Sequence, residues 1–236
     1  MRILITAGGT REYIDPVRFI SNASSGRMGY ALAKAAIKAG HKVTLITTVD
    51  RKSRIVNRAT SDKRQATIIK VESAAQMFEA VKKHFDKCDC LIMAAAVADY
   101  TPLKKSKVKI KKEKNYLIIK LKPTVDILKW AGCHKNSKLK TQNLKLKRLQ
   151  RLVVGFALED KNLRRNAEKK LKDKNLDMII ANQVSAIGND KSTVHIKTPN
   201  TAWHTIQNAT KATIAKRIIA QLQKSWCPQS DKSIYL

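Results

Sequence analysis

No pair of cysteines in this chain has C-x-x-C spacing, and no Cys/His ligand cluster is present. That excludes an ordinary structural zinc site. Four cysteines, Cys88, Cys90, Cys133 and Cys227, without a disulfide framework fit a reducing compartment. In a strand, Cys88 and Cys90 would point the same way and could not join in an ordinary disulfide. No stretch is apolar enough to span a bilayer, and the opening run Met1–Gly9 is too short for a signal peptide. The expectation is a soluble, cytoplasmic chain with no membrane association. Acidic residues are scarce: 18 Asp and Glu stand against 48 Lys and Arg, a net charge of +30. Such a charge suits an anionic partner: nucleic acid, a membrane surface or phosphorylated small molecules. Lysine is spread along the chain, with local excess over 104–122 and 135–151. Without aromatic interleaving or a recognisable module, drift toward lysine outweighs a nucleic-acid face.

What is present is an α/β pattern. The 236 residues, 43% of them hydrophobic, suffice for one large domain with its own core. Residues 2–7 read as a buried parallel strand, 28–39 as a helix stopped by Gly40, and 42–47 as the next strand. This βαβ opening predicts a doubly wound, mostly parallel Rossmann-like sheet with helices on both faces. Further strands are expected at 67–71, 90–96, 151–157, 176–181 and 193–197. Helices are expected from Ser73, as cap, to about Asp86, then at 125–131, 163–174 and 208–223. Residues 108–111 and 116–121 read as a hairpin or flap within an excursion over about 100–122. Residues 133–150 read as a basic surface insert. One domain is favoured over 1–224, with a tail over 225–236.

Four segments carry chemistry. The loop after the first strand, Gly8 to Gly26, is long, and loops at the carboxyl ends of such strands are where ligands bind. Ser24, Ser25 and Gly26 lead into a helix N-terminus, where free N–H groups and the helix dipole favour phosphate. A plain helix cap explains the same residues about equally well. No G-x-G-x-x-G follows the first strand, so the dinucleotide fingerprint is missing. Tyr30 and Lys34 have the spacing of a dehydrogenase proton relay but sit on the first helix, where core or solvent accounts for them. In Ala94-Ala95-Ala96-Val97-Ala98-Asp99, small residues let a base or ribose lie against the backbone, and Asp99 could accept from a hydroxyl or amine. Lys109 and Lys111 alternate along an extended segment, so two ammonium groups can face one polyphosphate. Phe156 and the pair Lys170 and Lys174 complete the set, although core packing and a solvated face would also explain them.

Taken together, the order Gly-Gly-Thr-x-Glu (8–12), Asp-Pro-Val-Arg-x-Ile-Ser-Asn-x-Ser-Ser-Gly-x-Met-Gly (15–29), Ala-Ala-Val-Ala-Asp-Tyr (95–100), Lys-Ile-Lys-Lys (109–112), Val-Val-Gly-Phe-Ala-x-Glu (153–159) and Lys-x-Leu-Asp-x-Ile-x-Ala-Asn (174–182) resembles the bacterial phosphopantothenate–cysteine ligase domain. The likeness covers about residues 1–224. It implies ligation of cysteine to 4′-phosphopantothenate through an acyl-cytidylate, with CTP as co-substrate, Mg²⁺ on its triphosphate, and release of pyrophosphate and CMP. By the same resemblance, Asn22 engages the acyl-cytidylate, Arg18 supports that step or the substrate phosphate, and Lys109 grips the triphosphate. Asp99, Phe156, Lys170 and Lys174 would hold CTP, with backbone contacts from Ala94, Ala95 and the segment Val125, Asp126, Ile127 and Leu128. The family pattern Asn-Pro-Asp-Ile reads Thr124-Val125-Asp126-Ile127 here, with Pro123 earlier. Relatives often carry a flavin-dependent decarboxylase ahead of this domain. None is seen in this sequence, so no FMN is expected and a separate decarboxylase would be the pathway partner. A homodimer is expected, and no metal ligands are assigned.

Overall fold

The computed structural model describes residues 1–50, 66–112, 115–136, 151–186 and 188–226. In chain order its elements are β1 (Arg2–Ala7), β2 (Arg11–Tyr13), β3 (Phe19–Ser21), α1 (Arg27–Lys38), β4 (Lys42–Thr47), β5 (Thr67–Lys70), α2 (Ala74–Phe85), β6 (Cys90–Met93) and β7 (Tyr100–Pro102). Then follow β8 (Leu121–Pro123), α3 (Ile127–His134), β9 (Leu152–Glu159), α4 (Leu163–Asp173), β10 (Met178–Gln183), β11 (Lys191–Lys197), β12 (His204–Thr210) and α5 (Lys211–Trp226).

Eight strands form one sheet in the order β12-β11-β10-β9-β6-β1-β4-β5. The six from β5 to β10 are parallel, and β11 and β12 add an antiparallel edge. Counting only the parallel strands, the order is that of a doubly wound dinucleotide-type sheet, with the winding direction reversing between β1 and β6. The fold class expected from the sequence is therefore observed. β1 after Arg2 and all of β6 are buried, because both faces of the sheet are covered. On one face α1 and α5 pack over Ile3, Ile5, Val43, Leu45 and Ile180. On the other, α2, α3 and α4 pack over Leu4, Ile46, Leu91, Val153 and Ile179. Each such side chain contributes about 1.5–3 kcal/mol when fully buried.

The structure corrects several local expectations. Residues 108–111 and 116–121 form no hairpin. The excursion is closed at its base, where β7 pairs antiparallel with β8, Tyr100 opposite Pro123 and Pro102 opposite Leu121. The backbone of Ile110 is instead occupied by Asp15 and Arg18. Within the long loop, β2 and β3 make a short ribbon that the sequence did not signal. β6 ends at Met93, three residues early, because the Ala95 and Ala96 N–H groups bond to Thr6 and to the turn after β1. The short helix starts two residues late, at Ile127, because the Asp126 carboxylate accepts from the Lys129 N–H at 2.9 Å and caps it. The closing helix starts at Lys211, and residues 204–210 are a missed edge strand. Asn208 there has φ 42 and lies beside a register shift at Ser192–Val194. Ser73 caps α2 as expected, in a reciprocal capping box with Gln76. Cys133 and His134 of the expected insert end α3, and Lys135, which follows as its cap, is buried on Asp177 at 2.8 Å. The rest of that insert, 137–150, and the tail from 227 lie outside the described residues.

Candidate active site

A cleft of about 560 Å³ opens at the carboxyl ends of the parallel strands. Its volume suits a small-molecule ligand, and its position is where open α/β sheets bind one. Its walls are built from the start of α1, the segment after β6, the start of α3, and residues of β9, α4 and β10. A second cleft, about 410 Å³, opens at the opposite ends of β1 and β4, lined by Arg2, His41, His84 and Cys88. No residue singled out from the sequence for chemistry lines it. Burial pushes the Cys88 thiol up to about 12, so at neutral pH it is an inert thiol.

The wall after β6 is held by hydrogen bonds that the motif residues supply. Thr6 Oγ1 accepts from the Ala95 N–H at 3.1 Å, and Thr10 Oγ1 from the Ala98 N–H at 2.9 Å. The Ala96 N–H donates to the Gly8 carbonyl at 2.8 Å. From the other side, the Thr124 hydroxyl donates to the Ala98 carbonyl at 2.6 Å. Glu12 is buried and accepts from the Ala74 N–H at 2.8 Å, so the ribbon strand β2 is tied to the start of α2. Small side chains at 94–96 thus leave a flat backbone surface facing the cleft. The Asn22 side-chain amide donates across it to the Val97 carbonyl at 3.1 Å.

α1 enters the cleft without a side-chain cap, because its cap residue is Gly26 in the left-handed region at φ 71. The first intrahelical N–H bond is that of Tyr30 to the Gly26 carbonyl, so the preceding N–H groups are available to an anion. Gly29 lets this helix lie close on β1: a Cβ there would stand 2.5 Å from the Ala7 Cβ. Tyr30 is buried and its hydroxyl donates to the Val49 carbonyl at 2.7 Å, so the core reading of the Tyr30 and Lys34 pair holds.

Two lysines of α4 reach the opposite wall. Lys170 Nζ donates to the Phe156 carbonyl at 2.8 Å. Burial and the charge of Lys174 lower its pKa, against the carboxylates of Glu159, Asp126 and Asp99. Lys174 pairs with Asp126 at 2.8 Å. Burial disfavours the Asp126 carboxylate, but the Lys174 bond, the Lys129 N–H and the charge of Lys170 outweigh it and lower its pKa.

Of the residues singled out from the sequence, Asn22, Ser24, Ser25, Gly26, Ala94, Ala95, Asp99, Val125, Asp126, Ile127, Leu128, Phe156, Lys170 and Lys174 all line this cleft. Arg18 and Lys109 do not. Arg18 pairs with Asp15 at 2.6 Å and donates to the Ile110 carbonyl, and Lys109 is exposed on the excursion next to that contact. Arg27, Asn182 and Lys211 also line the cleft and were not singled out. Thr10 and Glu12 were quoted within a motif without a role, and only their long-range partners reveal one.

The profile of the DNA/pantothenate metabolism flavoprotein C-terminal domain matches residues 1–225. The chain belongs to this family. It is 43% identical over 189 residues to the coenzyme A biosynthesis bifunctional protein CoaBC of Bacillus subtilis, covering 79% of this chain and 41% of that protein. It is 41% identical over 228 residues to a cysteine/cysteine sulfinic acid decarboxylase of an unknown prokaryotic organism, covering 94% of this chain and 57% of that protein. The chain thus spans about half the length of these curated relatives. A crystal structure of the C-terminal domain of CoaBC superimposes with a TM-score of 0.71 at 36% identity, covering 95% of this chain and 94% of that one. Among the described residues, no helix is long and apolar enough to cross a membrane.

Proposed function

We propose that this chain joins L-cysteine to 4′-phosphopantothenate, using CTP and passing through an acyl-cytidylate. The observation that carries this reading is the gathering of Asn22, the start of α1, Asp99, Phe156, Lys170 and Lys174 around one cleft at the switch point of the sheet. The likeness to the C-terminal domain of CoaBC supports the same reading.

The chemistry needs positioning and charge neutralisation more than a protein nucleophile. A carboxylate cannot acylate an amine directly at neutral pH, because oxide would have to leave. Attack of that carboxylate on the α-phosphorus of CTP expels pyrophosphate and turns the oxygen into part of a phosphate leaving group. The cysteine amine then attacks the activated carbonyl, forming the amide and releasing CMP. In this proposal the start of α1 takes phosphoryl oxygens, and Lys170 and Lys174 hold the nucleotide. Asn22 donates its amide to the acyl-cytidylate, with the Val97 carbonyl fixing its orientation. Arg18 acts from the loop after β1 and Lys109 from the excursion bonded to that loop, Lys109 on the triphosphate during activation. Mg²⁺ would supply further neutralisation of the triphosphate. Among the described residues, no group of three His, Cys, Asp or Glu could hold a metal ion.

The excursion and the ribbon beside it carry exposed apolar side chains, among them Val17, Phe19, Leu103 and Val108. We propose that a second copy covers this surface, giving a homodimer. A flavin-dependent decarboxylase is the proposed pathway partner.

The test is release of pyrophosphate by the purified chain given phosphopantothenate, cysteine, CTP and Mg²⁺. Release that depends on both the acid and CTP is expected. None from protein shown to be folded by circular dichroism overturns the reading.

A further inference from the structure

α1 and α5 lie side by side on one face of the sheet, and both point their N-termini at the cleft. Each begins with a cation, Arg27 and Lys211, and neither has an acidic residue in its first turn. This opposes the usual arrangement, since a helix start carries partial positive charge and favours acidic neighbours. Four sources of positive potential therefore converge: two helix starts and two side chains. Burial and the charge of Arg27 lower the pKa of Lys211, against Asp190.

The local compensation is small. Arg27 pairs with Asp190 at 2.8 Å, but the Asp190 side chain is 91% exposed. Arg27 also reaches the Gly188 carbonyl at 3.4 Å, and Lys211 donates to the Asn189 carbonyl. One solvated carboxylate and two carbonyls of the same turn are the partners these two cations bond to among the described residues. The α4 lysines, on the other face of the sheet, bond to Phe156 and Asp126 in the opposite wall. Among the described residues, Arg27 and Lys211 bond to the turn at 188–190, which an incoming anion can replace as their partner.

We propose that Arg27 and Lys211 form an anion subsite of the cleft that takes a phosphoryl group of the reactants. The turn at 188–190 serves as its stand-in partner when no anion is bound. The identity of the reactants rests on the ligase reading above; the subsite itself does not. The phosphoryl group has two possible sources, the triphosphate of the nucleotide and the phosphate of the acid.

Inorganic tripolyphosphate tests the subsite directly, with the full chain in a calorimetric titration at fixed salt. Arg27→Ala and Lys211→Ala should each weaken binding about tenfold, the size of one lost charge-assisted hydrogen bond. Lys38→Ala, at the far end of α1, should leave it unchanged. Asp190→Asn should tighten binding by removing the competing carboxylate, a change that a purely structural role would not produce. Thermal melts of all four variants establish that they are folded, and Lys211→Arg keeps the charge if Lys211→Ala does not fold. In the ligase assay, a raised KM for CTP alone assigns the subsite to the triphosphate, and a raised KM for phosphopantothenate alone assigns it to the acid. If wild-type protein shows no ligation yet tripolyphosphate binding still depends on both cations, the ligase reading fails and the subsite stands. Tripolyphosphate affinity within twofold of wild type in both folded alanine variants overturns the subsite.

Discussion

The buried carboxylate of Asp15 accepts a hydrogen bond from the backbone N–H of Ile110 at 3.2 Å, across 95 residues of chain. The same carboxylate accepts from the N–H groups of Val17 and Arg18, both at 2.8 Å, and from Arg18 Nε at 2.9 Å. Arg18 in turn donates to the Ile110 carbonyl, and the Ser106 N–H to the Ile14 carbonyl at 2.9 Å. The loop after β1 and the excursion bearing Lys109 are therefore joined through one ionised side chain.

If Lys109 acts on the triphosphate, its position depends on this junction. Asp15→Asn keeps the shape but removes the charge that holds Arg18. We expect kcat/KM to fall by up to about 10²-fold, the size of effect a displacement of roughly 1 Å can have. The fall should lie in the pyrophosphate-releasing step, read by single-turnover kinetics; an unchanged activation rate would separate Lys109 from the chemistry. Burial works against the Asp15 carboxylate, but the N–H groups of Val17, Arg18 and Ile110 and the Arg18 side chain hold its pKa far below the usual range. A depressed carboxylate pKa contributes stability above the unfolded value, about 3.9, and loses it as pH falls toward the folded one. Wild type should therefore lose stability on acidification below about pH 4 through this group, and Asp15→Asn should lack that component in denaturant titrations.

Asn22→Asp exchanges a donor for a carboxylate facing the Val97 carbonyl. Activation needs no Asn22 donor in the proposed scheme, whereas attack by cysteine does. The expected result is a burst of pyrophosphate with acyl-cytidylate accumulating and little amide, followed by mass spectrometry of quenched mixtures. Equal loss of both half-reactions would remove Asn22 from its assigned step.

Lys170 gives a pH dependence whose sign can be worked out. Its folded pKa lies below 10.5, chiefly through burial and then through Lys174. Between the folded and unfolded values the unfolded chain binds more protons, so stability through this group rises with pH in that window. Nucleotide affinity should fall over the same window as the ammonium charge is lost. Lys170→Met should flatten both trends and raise the KM for CTP about tenfold. Titrations of affinity and of denaturant midpoint against pH, on wild type and variant, check this.

Gly29→Ala tests the approach of α1 to β1. The added methyl would stand 2.5 Å from the Ala7 Cβ, so helix or strand must shift. Overpacking of this kind costs about 1–3 kcal/mol. A loss of that size in urea unfolding, with phosphate binding at the start of α1 weakened, is expected. An unchanged denaturant midpoint would mean that the helix is not held as closely as described.

Much of this was legible in the linear chain. The βαβ opening, the capping box at Ser73 and the apolar runs of β1, β6, β9 and β10 each carry a local signal, because burial on both faces demands continuous apolar residues. The missed strand β12 had no such signal, since an antiparallel edge strand interrupted at Asn208 loses its alternation. The cleft residues stood in recognisable motifs, whereas Arg27 and Lys211 were hidden among 48 basic residues, where one more cation says nothing.

By itself the order of residues determined the strand and helix types and the family, since these follow from near-neighbour periodicity and short contiguous motifs. Only the tertiary structure decided which distant groups meet: Asp15 with Ile110, Lys174 with Asp126, and Arg27 with Lys211 across one cleft. Hydrogen bonds and charge interactions act over a few ångströms of space. Separation along the chain, which is all that a sequence displays, leaves that distance undetermined until the sheet order is set.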